Sequence, residues 1–449
     1  MTSRHADDDR SPDAAPAVGP RLLGAWLALT ALVLVALGLW QGQSYWEYSD
    51  GVYSLSARYV LEGRSLYSDL AAAQPPSLFY AGAAVLAIDD SAAAIRVAMA
   101  SCKALVSLLV LVAVWRLTGR RDAALVAALV SLLTPWAVRE HGQFVPETLA
   151  APLVMGAALA ASRRATAALA GALGAAAVTF KLALALPALA IVLLGRHVRR
   201  GLMGFIATGA VLAVAFLALF GEALWTNVVH AQTQAGYASL RYVAGLWAQA
   251  GWNVAALLAL AALAWPARER LRDPDLARSL LAASIGSLLL LATLVKNGSY
   301  LTAMIVVEPP LVCLAACGVV AALREHDPRT ALRMRIVASA ACVLATAQIV
   351  SLLASPDDPV PFTRPLAASG PARTLSDAEV RAAARAIAAC PPGSTYAGPP
   401  YLAFVARHDI AGGQPDQFII HEAPVLSAFA IRSDADPAIC RDPGLPVVP

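Results

Sequence analysis

Apolar residues run through this chain in long blocks, and the polar residues gather between them. The blocks fall near 22–40, 92–115, 122–138, 146–161, 165–180, 182–195, 202–220, 252–266, 278–295, 302–322 and 334–353. About 20 apolar residues suffice for a helix to cross a ~30 Å hydrocarbon layer. The pattern therefore predicts eleven membrane-spanning helices. The stretch from Ala165 to Leu194 is apolar except for Lys181, so it reads either as two helices or as one. As one helix it would be about 45 Å long, too long for a single span without strong tilt.

Arginine placement favours the split. With the N-terminus inside, the predicted cytoplasmic turns hold sixteen arginines, in clusters around 116–121, 163–164, 196–200, 268–278 and 324–335. The predicted outside loops hold six cations: Arg58, Arg64, Arg139, Lys181, Arg241 and Lys296. This is the positive-inside bias of a multi-pass membrane protein. Merging 165–195 into one span would move Arg clusters to the outer side.

The ends differ in texture. Residues 1–20 are polar, with Asp7, Asp8 and Asp9 among Pro and Ala, and read as a disordered cytoplasmic tail. The first apolar run lacks a following small-residue cleavage site and reads as a retained helix, not a signal peptide. Eleven spans leave 355–449 outside. That segment is polar and Pro-rich. It is expected to form a small extracytoplasmic α/β domain: a helix over Ser376 to Ala389, with a capping-box start at Ser376 and Glu379, and short strands or buried pieces at Tyr396, Leu402–Val405 and Phe418–Ile420. The predicted organisation is a tail (1–20), an all-α polytopic membrane domain (21–354) with a first external loop at 41–91, and the C-terminal domain (355–449).

Composition agrees. The chain has 449 residues, 59% hydrophobic and 14% charged, where soluble domains carry about 25% charged residues. The net charge of +4 is small and scattered, which argues against a nucleic-acid partner. No P-loop, dinucleotide fingerprint or zinc-type spacing is present, and no metal or other cofactor is expected. Cys102, Cys313, Cys317 and Cys342 lie in apolar runs, whereas Cys390 and Cys440 lie in the tail, where an oxidising compartment would let them pair or they would stay as two thiols.

The candidate chemistry collects on the predicted outer side. The first loop contains YSDGVYSLSARYVLEGRSLYSDLAAAQPPSLFY, with Asp50 at its start, and the third apolar run leads into PWAVREHGQFVPE. This pattern resembles the first external loop of the GT-C glycosyltransferases: Asp50, a helix over Val52 to Leu61, Gly63, Tyr67, then Gln74-Pro75-Pro76. It is similar to the protein-mannosyltransferase and aminoarabinose-transferase group (family 39) and to bacterial polyprenyl-phosphate-mannose-dependent transferases. It departs from family 39 at Asp50-Gly51, where an Asp-Glu pair is common. HGQFVPETLAAPL resembles the second acidic motif of these enzymes, with Glu147 in the acidic position, and TFKLALALPALAIVLL resembles their lysine-then-apolar segment.

The resemblance implies transfer of a sugar from a polyprenyl phosphate to an acceptor hydroxyl on the extracytoplasmic face of the cell membrane, the acceptor being a glycan, lipid or protein. It makes Asp50 the general base. On residue type alone Asp50 reads equally as a helix cap, and Asp69 is its rival. Glu147 would orient the acceptor or assist Asp50; it also reads as a first-turn acid after Pro146. Glu140 and His141 are nearby alternatives.

The chain has only three lysines, Lys103, Lys181 and Lys296, against 31 arginines. Charge at membrane depth is costly and usually faces a site or a partner. Lys181 and Lys296, with Arg58 as a further candidate, are the expected contacts for the donor phosphate. The alternatives are snorkelling to the interface for the lysines and a surface pair with Glu62 for Arg58. His230, Tyr237 and Tyr67 are candidates for the substrate pocket, although 230–241 also reads as an interfacial helix. The competing function is a transporter or flippase of a lipid-linked saccharide, which would place its charges along a midplane path.

Overall fold

The computed structural model describes residues 19–41, 48–266, 271–297, 299–354, 377–391, 393–429 and 439–440. Most of the predicted tail, Ser376 and the side chain of Cys440 lie outside the described residues. The chain begins with α1 (Pro20–Gln41), α2 (Tyr48–Leu61) and α3 (Pro76–Ile88). Then come α4 (Ala92–Thr118), α5 (Arg121–Leu133), the single turn α6 (Pro135–Arg139), α7 (Pro146–Ala161) and α8 (Ala167–Val178). The second half contains α9 (Ala185–Leu194), α10 (Val198–Phe220), α11 (Glu222–Trp225), α12 (Ala231–Gln234), α13 (Leu240–Ala264), α14 (Pro274–Leu289), α15 (Met304–Arg324) and α16 (Pro328–Ala354). The C-terminal part carries α17 (Asp377–Ala388), β1 (Thr395–Tyr396), α18 (Pro400–Ala406), α19 (Gln417–Glu422) and β2 (Ile439–Cys440).

Every predicted apolar run forms a helix. Seven of the described helical segments are long and apolar enough to cross a membrane: those at 20–39, 92–118, 198–220, 240–264, 274–295, 301–324 and 328–351. Those at 76–88, 146–161, 167–178 and 182–194 are apolar but shorter. The ambiguous stretch divides: α8 stops at Val178, Lys181 adopts an extended conformation, and a short 3-10 turn leads into α9. Local chemistry marks many boundaries. Ser91 caps α4 through the Ala94 amide, Ser239 caps α13 through Tyr242, and Asp273 caps α14 through Leu276. Prolines open α3, α6 and α7, where their missing N–H costs nothing.

Three expectations are corrected. The helix expected at 252–266 begins twelve residues earlier, at Leu240, so the preceding loop spans only 221–239 and contains a π-helical turn at Thr226–His230. The run expected over 122–138 breaks at Thr134-Pro135 into α5 and α6. Of the two readings for Leu402–Val405 and Phe418–Ile420, the strand falls, since they lie in helices α18 and α19, while burial holds for Leu402, Phe404, Ile419 and Ile420. The described sheet is one parallel pair, β1 with β2, two residues each.

Two cores organise the packing. One fills the helical bundle, with α4, α5, α7, α13, α14 and α15 contributing residues such as Val110, Ala128, Val154, Leu257, Leu280 and Val307. The other joins the first loop to the C-terminal segment: Leu55, Tyr59, Leu66 and Phe79 pack with Phe144, Tyr396, Leu402, Phe404 and Ile410. Within the bundle, α8 and α10 meet at a seam of small residues. A side chain on Gly171 would overlap the carbonyl of Gly201, and one on Gly204 would overlap that of Ala168. Close backbone approach of this kind replaces the hydrophobic driving force that water would provide.

Candidate active site

The first loop is not slack chain. Its backbone from Tyr67 to Ala73 is fastened by three amide side chains from distant segments. Asn227 donates to the Tyr67 carbonyl at 3.4 Å and accepts from the Ala72 amide at 3.2 Å. Gln414 donates to the Asp69 carbonyl at 2.6 Å and accepts from Ala71 at 2.9 Å. Gln232 donates to the Ala73 carbonyl at 3.1 Å. Buried peptide groups require partners, and here those partners weld the loop to both the 226–234 segment and the C-terminal segment.

Asp50 lies in the first turn of α2, not ahead of the helix, and is 4% exposed. Its Oδ1 accepts from the Phe144 amide at 2.8 Å and from the Ser54 hydroxyl at 3.4 Å. The carboxylate thus reaches across to the 140–145 segment. Burial lifts its pKa from 3.8 to about 6, although the Phe144 amide, the Arg96 charge and Ser54 each pull it down. Arg96 in turn donates to the Tyr401 hydroxyl at 3.0 Å. The departure at Gly51 has a steric reason: a side chain there would overlap the backbone of Tyr401 at the start of α18. The rival acid, Asp69, accepts from the Ser65 amide at 2.7 Å and closes its own turn.

The segment between α6 and α7 brings further acids inward. Glu140 is fully buried, with its Oε1 3.5 Å from Arg139 Nε. Burial raises its pKa, opposed first by Arg139 and then Lys103, with the negative charges of Glu147 and Asp50 adding to the rise. His141 beside it is pushed down to about 3 by burial and by the charges of Lys103 and Arg96, so its ring is neutral at ordinary pH. Glu147, buried in the first turn of α7, forms an ion pair with Lys181 at 2.6 Å and accepts from the Thr302 hydroxyl at 2.8 Å. The break between α8 and α9 is what delivers Lys181 to this position. Its side chain keeps 29% of its exposure, whereas Glu147 keeps 2%.

Lys296 sits elsewhere, against the 230–237 segment. Its ammonium donates to the carbonyls of Gln232 at 2.6 Å and Ala235 at 3.4 Å, and lies 5.3 Å from the centre of the exposed Tyr237 ring. His230 is exposed and pairs with Gln234 at 3.2 Å. Tyr67 is buried, donates to the Gln74 carbonyl at 2.8 Å and meets Phe220 edge to face. Arg58 joins neither lysine. It donates to Asp90 at 2.8 Å and to the Phe404 carbonyl at 2.5 Å, and it stacks on the Phe404 ring. Its partner is Asp90, not Glu62, and its guanidinium ties the first loop to α18. Cys390 is disulfide-bonded.

Several participants are not evident from the motifs. Thr302 and Tyr401 carry no sequence signal of their own. Glu308, 1% exposed within α15, is an acid inside the apolar run IVVEPPLV; the cost of charge at membrane depth is the signal that marks it. Arg96 near the start of α4 is marked in the same way. Among the described residues, no group of three or more His, Cys, Asp and Glu is placed to hold a metal ion.

Two solved structures share this architecture. ArnT from Cupriavidus metallidurans bound to undecaprenyl phosphate superposes with a TM-score of 0.62 at 16% identity, over 92% of this chain and 90% of that one. The apo form of ArnT from the same organism gives 0.60 at 15% identity, over 91% and 89%. No protein-family profile matches the sequence, and no curated protein does. At this identity the likeness concerns the fold. The chain is a multi-pass membrane protein that shares the fold of these two structures.

Proposed function

We propose that the protein is a membrane glycosyltransferase that moves a sugar from a polyprenyl-phosphate donor to an acceptor hydroxyl on the extracytoplasmic face. The observation that carries this reading is the meeting of Asp50 with the 140–147 segment, which also bears the Glu147–Lys181 pair. The shared fold with an ArnT structure that holds undecaprenyl phosphate supports the donor class.

In this reading Asp50 takes the acceptor proton. The acceptor oxygen attacks the anomeric carbon, the bond from that carbon to the phosphate oxygen breaks, and the polyprenyl phosphate departs with its electron pair. Direct displacement inverts the anomeric centre. A carboxylate with a pKa of about 6 is ionised at neutral pH yet more basic than an ordinary aspartate, which suits a general base. Lys181 meets the leaving phosphate. Glu147 holds Lys181 in place through their ion pair, which differs from a direct role on the acceptor. Lys296 and Tyr237 line the approach of the lipid, and the C-terminal segment closes over α2.

The test is transfer of label from radiolabelled polyprenyl-phosphate sugars to acceptors in membranes containing the wild-type protein or Asp50→Asn. Transfer by wild type and its loss in an equally abundant variant support the reading. Equal transfer by both removes Asp50 as the base. Directional movement of a lipid-linked saccharide without transfer would establish the transporter instead.

A further inference from the structure

The single turn α6 is gripped at two consecutive residues, Trp136 and Ala137, by charged side chains from two different helices. Glu308 of α15 accepts from the Trp136 amide at 3.3 Å, near the start of the turn. Lys103 of α4 donates from its ammonium to the carbonyl of the next residue, Ala137, at 2.8 Å. The acid takes up a backbone amide and the cation a backbone carbonyl of the turn, so each buried charge has a peptide partner. Both side chains are buried, at 1% and 6% exposure. The Lys103 charge also lies within electrostatic reach of Glu140 and Glu308. Trp136 itself is buried and meets Tyr300 edge to face, with Arg139 over both rings.

The turn leads directly into Glu140, His141, Phe144 and Glu147. Its far end is fixed by Asp50 at the Phe144 amide and by Lys181 and Thr302 at Glu147. A buried charge stabilises little for its cost, because the ion must be desolvated; its best-attested use is to specify one arrangement. We infer that Lys103 and Glu308 are positioning residues: they set the register of α6, and through it the placement of the 140–147 segment against Asp50 and Lys181. The inference rests on the transferase reading for its effect on rate, but the placement itself is measurable without turnover.

The test uses the full chain in lipid nanodiscs, with Lys103→Met and Glu308→Met combined. Either single change strands a buried charge, whereas the double change keeps the interior neutral and filled. The double variant should fold, and its kcat should fall about a hundredfold, as expected for a site displaced by about 1 Å. KM for the donor should stay within about twofold of wild type, since uniform binding is untouched. Amide hydrogen exchange of a peptide covering 139–145 should accelerate at least about tenfold, while peptides from α4 and α15 stay protected.

A double variant with wild-type transfer and wild-type exchange at 139–145 overturns the inference, and the two charges then merely neutralise each other. If wild type transfers no polyprenyl-phosphate sugar, the transferase reading falls, while the exchange comparison still decides the positioning. Should the double variant resist purification, Lys103→Arg and Lys103→Met are compared in membranes. Arg retains a donor for the Ala137 carbonyl and should restore transfer where Met does not; equal transfer by the two overturns the inference.

Discussion

On the transferase reading, function and stability pull in opposite directions at Asp50. Its native pKa, about 6, lies above the ordinary 3.8 because the carboxyl is buried. The folded protein therefore binds this proton more tightly than the unfolded chain, and stability falls as pH rises through the window from 3.8 to about 6. At pH 7 the ionised group costs roughly 3 kcal/mol, at 1.36 kcal/mol for each pKa unit. Asp50→Asn keeps an oxygen for the Phe144 amide and removes the charge. It should lower kcat by about 10²–10⁴ while raising the thermal midpoint at pH 7. A scanning measurement in detergent beside the transfer assay checks both, and a lowered midpoint would contradict the burial argument. For the wild type, kcat/KM should climb through about pH 6 and level off above it, because only the ionised carboxylate accepts a proton. The residue scale was also the least legible in the sequence. Asp50 stood out by its loop pattern and Lys181 by its rarity, but Glu308, although marked as an acid within an apolar run, carries no sign of its contact with α6, and the Arg58–Asp90 pair joins residues that no local pattern connects.

Helices were legible because their signal is long and redundant. All eleven apolar runs are helical, although 122–138 divides into α5 and α6 and seven of the described segments are long enough to span, and the division near Lys181 followed from length and arginine placement. Misreadings arose where the signal was short or mixed. Leu240 to Gly251 interleaves Arg, Gln and Gly with apolar residues, so the early turns of α13 resembled a loop; Trp247, which donates to the Leu291 carbonyl at 2.8 Å, anchors them by a contact 44 residues away. The four-residue apolar run of α18 fits strand and helix equally well by periodicity. Contact between elements yields two predictions. Installing by Gly51→Glu the Asp-Glu pair common in the family that the loop resembles should force α18 off α2, since the new side chain would overlap Tyr401. Limited proteolysis should then cut the C-terminal segment at a protease dose that leaves wild type whole. In the bundle, Gly171→Val should part α8 from α10 and cost about 1–3 kcal/mol, read as a lower midpoint with no change in helix content.

Across the whole molecule, the C-terminal segment works as a clasp on the first loop. Arg58 reaches Phe404, Arg64 reaches Asp409 at 2.7 Å, Tyr59 accepts from the Ile410 amide at 3.0 Å, and Gln414 holds 69–71. Helix α17 packs on α18, and the disulfide at Cys390 follows directly after it. Cys390→Ser should therefore loosen the clasp, at a cost of about 2–4 kcal/mol if the bridge closes a long loop, and reduction of wild type should reproduce the effect in a proteolysis time course. The short helices carry a different implication. At 1.5 Å per residue, the 16 residues of α7 cover about 24 Å and the 12 of α8 about 18 Å, and the 13 residues at 182–194 are similarly short, against a ~30 Å hydrocarbon layer. These three pack on one another, and they are the helices that present Glu147 and Lys181. A bilayer meets short helices by thinning, by snorkelling of flanking residues or by their association with other helices. On the transferase reading, thinning there would bring a headgroup phosphate beside Lys181 closer to the midplane, so that an ordinary property of the membrane, its acyl-chain length, would become part of how far a lipid-borne donor must travel.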